Sequence, residues 1–211
     1  MMINNKITRI EEYLDELFPN ARCELNYTKD YELIIAVVLS AQTTDKSVNQ
    51  VTPILFSRYK SIDELAHADI SDVEDIIKSI GLYKNKAKNI VLLAKELVEK
   101  YDGKVPCDKD VLVTLPGVGN KTAGVTRLEL FEADEIPVDT HVARIAKRLK
   151  LASKNDEPID IEKKLKKAFP KEHWGKLHHQ LIHFGRYFCT AKNPNCENCK
   201  ICDICVEKRV K

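Results

Sequence analysis

The chain has 211 residues, enough for one large domain or two small ones with a substantial core. Hydrophobic residues make up 44% and charged residues 31%, which excludes a disordered chain, and only 7 glycines and 8 prolines disfavour a turn-rich sandwich or barrel. The net charge is +2, but the two halves of the chain differ. Residues 1–110 contain 15 basic and 19 acidic residues, a net charge of −4, and residues 111–211 contain 19 basic and 13 acidic residues, a net charge of +6. A polyanion would therefore bind the second half.

The sequence contains no segment typical of membrane proteins. The longest apolar run, Leu33 to Leu39, is too short to cross a bilayer, and the first 17 residues lack the apolar region of a secretory signal. We therefore expect a cytoplasmic protein without membrane contact. Disulfides are rare in that compartment, and five of the seven cysteines fall within the last 23 residues, which indicates a metal site.

Apolar residues recur at helical spacing along most of the chain, which predicts about ten mostly short helices and no strand. Residues 32–41 are apolar nearly all round, as in a central buried helix. Ser61 to Glu64 and Ser71 to Glu74 have the capping-box pattern of a helix start. Helices are expected, in chain order, over residues 7–17, 32–41, 45–59, from 61, from 71, then 86–100, 110–115, 121–131, 142–151, 158–170 and 174–188.

Three of the glycines lie in the segment Leu115 to Gly124, between two apolar helical stretches. Gly117 and Gly119 would allow positive φ and close approach to another surface, and the amides of the next helix start attract phosphate. A bare Gly-x-Gly fits an ordinary turn between helices. The order Leu-Pro-Gly-Val-Gly is typical of the helix-hairpin-helix motif, which grips the DNA backbone without reading sequence.

Lys121 follows this hairpin, and Asp139 precedes the helix expected over residues 142–151. Taken singly, Lys121 is explained by a phosphate contact and Asp139 by an N-cap. Together they favour another chemistry. A neutral lysine amine is a nucleophile, and a carboxylate stabilises an oxocarbenium ion and moves protons. The pair could displace a base from a sugar and form a Schiff base at the anomeric carbon.

The sequence resembles the endonuclease III family of DNA glycosylases in the helix-hairpin-helix superfamily. The motifs that carry the resemblance occur in family order over nearly the whole length: Leu39 to Asp45, Ile80 to Tyr83, Val105-Pro106, Leu115 to Ala123, Val138 to His141, and His183 to Arg186 followed by cysteines. The resemblance implies Lys121 as the Schiff-base lysine and Asp139 as the catalytic carboxylate. It also implies removal of oxidised pyrimidines from duplex DNA and a β-elimination nick 3′ to the abasic site, by a nucleoid-associated monomer.

The resemblance assigns roles to further residues. A base inside duplex DNA must be flipped out, and residues matching Gln42 and Leu82 wedge into the gap. Independently of the resemblance, Gly117 and Gly119 would contact the DNA backbone through the hairpin, and Lys192, in the loop between the first two C-terminal cysteines, could contact a phosphate. Ser40, Asp45 and His141 match lesion-pocket positions. Two alternatives stay open, because Leu82 also fits a core residue and Asp45 an N-cap.

Residues 124–129 depart from the family pattern, since Gly124 follows where an asparagine is usual and Arg127 and Glu129 interrupt an apolar stretch. A glycine there also resembles the adenine-mismatch branch. The alternative function is therefore a monofunctional mismatch (adenine or thymine) glycosylase without lyase activity. That branch usually lacks the lysine at position 121 and carries an extra C-terminal domain, which favours the lyase.

The C-terminal cysteines allow five different sets of four metal ligands. Their spacing is near that of a bacterial ferredoxin, and four thiolates also suit a structural zinc. The family pattern C-x6-C-x2-C-x5-C implies a [4Fe-4S] cluster with Cys202 as a spare thiol. Its ligands would be Cys189, Cys196, Cys199 and Cys205.

These observations predict an all-α, two-lobed glycosylase fold with a C-terminal iron-sulfur loop. Residues 23–133 would form a helical bundle that ends in the hairpin. Residues 1–22 and 134–211 would form the second lobe, with the cluster. Double-stranded DNA with damaged bases or abasic sites would lie in the groove between them, with Lys121 and Asp139 at its mouth.

Overall fold

The computed structural model of the chain describes residues 2–207, with side chains from residue 5 onward. Within this part of the chain all regular structure is helical, which confirms the predicted all-α class. Residues 171–173 and 202–204 form short 3-10 turns, and residues 184–188 a π-helical turn. The α-helices are α1 (Met2–Leu17), α2 (Asp30–Leu39), α3 (Asp45–Arg58), α4 (Ile62–Ala66), α5 (Ile70–Ile77), α6 (Tyr83–Tyr101), α7 (Lys109–Leu112), α8 (Asn120–Phe131), α9 (Thr140–Arg148), α10 (Pro158–Ala168) and α11 (Trp174–His183).

The chain divides into two compact units, of which one comprises Glu24–Phe131. Its centre is α2, in which every residue from Tyr31 to Leu39 is buried. The predicted central buried helix is therefore present, but it ends two residues before the predicted bound, Ala41, which is exposed. Helix α2 packs against α3, α6 and α8, while α4 and α5 cover other parts of α6. Burying each large aliphatic side chain contributes about 1.5–3 kcal/mol, so α2 anchors the unit that carries the hairpin.

The other unit comprises Met1–Cys23 and Glu132–Lys211. Its core joins α1, α9, α10 and α11 through buried side chains that include Ile10, Leu14, Ile145, Leu181 and Phe184. The boundaries predicted from sequence, 23–133, differ from those of the compact unit by one residue at the start and two at the end.

One predicted helix start is confirmed and two differ from the sequence prediction. Ser61 caps α4, because its side chain accepts from the Glu64 amide at 3.1 Å. The prediction of a cap at Ser71 is wrong, since α5 begins earlier and Asp69 accepts from the Ser71 amide at 2.8 Å. The N-cap of α3 is Thr44 rather than Asp45, which lies in the first turn of the helix.

Among the helices of residues 2–207, none combines the length and the apolar composition needed to span a bilayer.

Candidate functional site

The glycine hairpin connects α7 to α8. Leu115 and Val118 are buried, and the Val118 amide donates to the Leu115 carbonyl at 3.1 Å. Gly117 has a φ of +77°, and a β-carbon there would lie 3.0 Å from Val38 Cγ1 and 3.1 Å from Asn89 Cβ. Glycine at this position is thus required both by the backbone conformation and by the approach to α2 and α6.

Gly119 has a different role from Gly117. The prediction of a positive φ at Gly119 is wrong. A β-carbon there would meet nothing within 4 Å, and the Gly119 carbonyl accepts the first hydrogen bond of α8, from Ala123. The first amides of α8 have no acceptor within the helix, and the helix dipole makes this end positive. The backbone is therefore open to an anion.

Lys121 lies in the first turn of α8 with an exposed side chain. Within residues 2–207 its ammonium has no hydrogen bond or ion pair. Thr122, Ala123 and Gly124 follow it and are buried, which holds this turn against the rest of the unit. The geometry presents an accessible amine from a fixed helix start.

The atypical stretch of α8 is accommodated without disturbing the helix. Gly124, Val125 and Thr126 are buried, and α8 packs against α2. The Arg127 guanidinium donates from Nε to the Cys107 carbonyl at 2.9 Å, so the charged side chain leaves the apolar face.

Both predicted wedge residues are non-glycine residues with positive φ, 54° at Gln42 and 59° at Leu82. Gln42 is exposed and follows Ser40, the C-cap of α2, whose hydroxyl donates to the Val37 carbonyl. Leu82 immediately precedes α6 and is 57% exposed, so the alternative that it is a core residue is wrong. A non-glycine residue is strained at positive φ and keeps this conformation only where the surrounding structure imposes it. Gln42 and Leu82 are therefore held in place by the short turns that contain them.

Asp139 caps α9, and its Oδ1 accepts from the Val142 amide at 2.8 Å. Its other oxygen, Oδ2, has no hydrogen-bond partner among the described residues. Asp139 is half-buried and directly follows Pro137 and Val138, both of which are buried. The cap and a chemical role are therefore compatible, because the cap orients the carboxylate and leaves one oxygen available.

His141 follows on α9 and lies beside Arg144, with 3.3 Å between His141 Nδ1 and Arg144 Nη2. Burial is the largest cause that lowers the pKa of His141, and Arg144 and Arg186 lower it further, against the opposing effect of Asp139. The lowered pKa favours the neutral form of the imidazole. Of the three predicted lesion-pocket residues, His141 belongs to one compact unit, and Ser40 and Asp45 to the other.

The cysteines are positioned by two kinds of turn. The π-helical turn after α11 ends with the Cys189 amide donating to the Phe184 carbonyl at 2.6 Å. Next, the amides of Cys199, Cys202 and Cys205 each donate to the carbonyl of the cysteine three residues before it. No disulfide joins the seven cysteines, all of which lie in the described part of the chain.

All five C-terminal cysteines line one cavity with about 360 Å³ of empty space, its open mouth included. Burial raises the pKa of the Cys199 thiol to about 11, and neighbouring cysteines raise it further. Burial also raises the pKa of Cys189, against the opposing effect of Arg148, whose Nη1 lies 3.3 Å from Cys189 Sγ. Such thiols become thiolates together only around a cationic centre.

In residues 2–207, no three His, Cys, Asp or Glu side chains converge closely enough to hold a single metal ion.

The site residues predicted from the sequence do not include the arginines that support the cysteine loops. Arg148 is only 7% exposed and donates from Nη1 to the Thr190 carbonyl at 2.8 Å and from Nη2 to the Ala191 carbonyl at 3.2 Å. Arg144 donates to the Gly185 carbonyl at 2.7 Å. Two arginines four residues apart in a strongly amphipathic helix were the available signal.

The second cysteine loop is tied to α1. Arg9 makes a two-pronged ion pair with Asp203, at 2.9 and 2.8 Å, and the Tyr13 hydroxyl donates to the Asn198 carbonyl at 3.1 Å. Lys192, predicted to contact DNA, is exposed in the first cysteine loop.

The sequence matches the HhH-GPD superfamily of base excision DNA repair proteins over residues 35–171. It is 47% identical to endonuclease III of Bacillus subtilis (strain 168) over 209 residues, which is 98% of this chain and 94% of the relative. A solved non-covalent endonuclease III–DNA complex superimposes with a TM-score of 0.94 at 45% identity, covering 97% of this chain and 95% of that one. A trapped endonuclease III–DNA covalent intermediate gives a TM-score of 0.91 at 46% identity and covers 96% of both chains.

Proposed function

Because the chain belongs to the endonuclease III family of the HhH-GPD superfamily, we propose that it cleaves damaged DNA through a Schiff base formed by Lys121. The protein is a DNA glycosylase and abasic-site lyase that acts on oxidised pyrimidines in duplex DNA. The observation that carries the residue assignment is the exposed, unengaged amine of Lys121, which follows a hairpin open to phosphate.

The proposed reaction begins at the sugar of the damaged nucleotide. The neutral amine of Lys121 attacks C1′, the N-glycosidic bond breaks, and the base leaves with the bonding electrons and takes up a proton. Ring opening gives an imine between the lysine nitrogen and C1′. Loss of a proton from C2′ then expels the 3′ phosphate by β-elimination, and water releases the lysine.

Asp139 supports this chemistry through the oxygen that the cap does not use. A carboxylate near the sugar stabilises the positive charge that develops as the base departs, and it accepts and returns protons. Its hydrogen bond with the Val142 amide fixes the direction of the other oxygen, Oδ2.

Gln42 and Leu82 would occupy the space that the flipped nucleotide leaves. Both are exposed and lie in turns with positive φ, which suits side chains that enter a base stack. Flipping costs a few kcal/mol, and the inserted groups offset part of that cost. His141, Ser40 and Asp45 are the proposed contacts to the extruded base, and Lys192 contacts a phosphate.

Reaction with a duplex oligonucleotide containing thymine glycol tests this function. We expect release of the free base together with a nick 3′ to the site. Base release without a nick would favour the monofunctional glycosylase instead. The presence of Lys121 does not support that alternative. Binding without any release would leave a non-catalytic DNA-binding protein.

The two hairpin glycines give a matched pair of variants. Gly117→Ala is expected to lower the free energy of unfolding by about 2 kcal/mol, because alanine is strained at positive φ and its β-carbon crowds Val38 and Asn89. Gly119→Ala is expected to leave folding unchanged, since its β-carbon enters open space, but to weaken DNA binding by about tenfold by blocking contact with phosphate. Thermal melting and fluorescence anisotropy check the two effects. Equal DNA affinity for Gly119→Ala and the unchanged chain would refute the phosphate contact.

We also propose that the C-terminal cysteines hold a [4Fe-4S] cluster with Cys189, Cys196, Cys199 and Cys205 as ligands. The donor set fits, because these thiols line one cavity and Arg148 partly neutralises the charge at Cys189. When bound, the cluster supplies a rigid link between loops that have few apolar residues.

Serine replacements test the choice of ligands. Cys189→Ser is expected to lose the brown iron-sulfur absorbance, whereas Cys202→Ser, the matched control from the same cavity, is expected to keep it. Absorbance spectra and iron content of the purified variants measure this. The reverse pattern would make Cys202 a ligand, and four zinc-bound thiolates without iron would refute the cluster.

A further inference from the structure

Lys86 is a buried cation that joins the two turns carrying the wedge residues. Its side chain is 4% exposed, and its Nζ donates to Thr43 Oγ1 at 2.7 Å. Its backbone amide donates to the Leu82 carbonyl at 3.0 Å. One residue therefore binds the turn after α2 through its side chain and the turn before α6 through its backbone.

Each of these turns is closed by its own backbone hydrogen bond. The Thr43 amide donates to the Ser40 carbonyl at 3.1 Å, and this turn encloses Gln42. The bond from Lys86 to Leu82 closes the first turn of α6 directly behind the other wedge residue. Non-glycine residues keep positive φ only where their surroundings impose it. The link through Lys86 therefore helps to hold both strained residues, Gln42 and Leu82, in this conformation.

The position of Lys86 is costly for a lysine and is not explained by an ion pair. Burial lowers the pKa of Lys86, and Ala87, Ile90 and Leu93 are buried on the same helix. Across residues 2–207, Thr43 Oγ1 is the acceptor for its side chain and no carboxylate pairs with it. An apolar residue of the same length would pack there without that cost, so the donor itself requires an explanation.

We propose that Lys86 is a positioning residue that sets the placement of Gln42 relative to Leu82, and thereby controls extrusion of the damaged nucleotide. It does not touch the reacting atoms. This proposal rests on the glycosylase function and on the wedge assignment given above. It implies a specific defect: substrates that must be flipped out of a paired stack depend on Lys86, and substrates that are already unstacked do not.

Lys86→Met tests this, because methionine keeps the length and packing of the side chain and removes the donor. We expect single-turnover base release from a paired lesion to fall by about tenfold, since the lost support adds to the barrier for flipping. Base release from the same lesion in an unpaired bulge is expected to stay within about twofold of that of the unchanged chain, and so is the rate of nicking at an abasic site. Lys95→Met, at an exposed position of the same helix, is the matched control for loss of a charge and is expected to change neither rate.

A second variant keeps the test independent of how Lys86→Met folds. Thr43→Val removes the acceptor of the same hydrogen bond, so it is expected to show the same selective loss, and the double variant no more than either single one. Equal losses on paired and bulged lesions would show a general structural role and overturn the proposal, as would no loss on the paired lesion. If the unchanged chain released base from neither substrate, the glycosylase function would fail instead.

Discussion

Lys121→Ala is expected to form no borohydride-trapped adduct with an oligonucleotide containing an abasic site, and to nick it at least about 10³-fold more slowly. The reason is covalent, since reduction captures only the amine that has formed the imine. Lys121 is exposed in the first turn of α8 and packs against nothing that would fail on its removal, so folding is expected to be unchanged. Gel electrophoresis of the reduced reaction and thermal melting measure both.

The matched control for this variant is Lys95→Ala. Lys95 is an exposed lysine of the same compact unit and pairs weakly with Glu99 at 3.8 Å. Its loss is expected to change neither trapping nor nicking. Undiminished trapping in Lys121→Ala would transfer the Schiff base to another amine.

Asp139→Asn is expected to slow base release by about 10²–10⁴-fold while DNA binding and stability are largely retained. Asparagine caps a helix about as well as aspartate, so its side-chain oxygen can still accept from the Val142 amide. What disappears is the negative charge and the proton acceptor at Oδ2. Single-turnover kinetics on an oxidised pyrimidine, together with a melting curve, separate these effects.

Asp139→Ala completes that comparison. It removes cap and charge together, so we expect a loss of about 0.5–2 kcal/mol in the free energy of unfolding in addition to the loss of rate. A full rate in Asp139→Asn would show that the residue is only a cap.

Much of the fold was predictable because helical periodicity and strong stop signals coincide. Residues 32–41 are apolar nearly all round, and α2 is buried nearly all round. The helix predicted over residues 86–100 ends at Tyr101, and the two residues that follow, Asp102 and Gly103, both have positive φ. Where the helical spacing of apolar residues and a helix-ending residue agree, the local sequence determines where the helix lies.

Helix starts were less predictable where two capping residues compete. Thr44 and Asp45 are adjacent, and Asp69 lies two residues before Ser71. Each could begin the helix, and the choice is made by how the helix packs rather than by the cap itself. The first candidate of each pair is the cap in the structure.

Some residues of the candidate site could be predicted from the sequence, and others could not. The hairpin, Lys121 and Asp139 stand in motifs that sequence reasoning can recognise. From the sequence, Lys86 is only the first residue of the helix expected over residues 86–100, although a lysine four residues before Ile90 on the apolar stripe is a visible anomaly. The positive φ of Leu82 and its exposure depend on tertiary packing, for which the sequence has no local signal.

The charge asymmetry of the sequence agrees with the proposed positions of the DNA contacts. The hairpin, Lys121 and the cysteine loops fall in residues 111–211, the half with a balance of +6. Each additional phosphate contact steepens the salt dependence and strengthens non-specific binding, so a modest total charge suits an enzyme that must leave undamaged DNA.

Peptide mapping of the borohydride-trapped complex of the unchanged chain with abasic DNA tests the assignment of the Schiff base to Lys121. We predict one modified peptide, with the reduced sugar attached to Lys121. An adduct on any other amine, or base release and nicking without an adduct at Lys121, would contradict it.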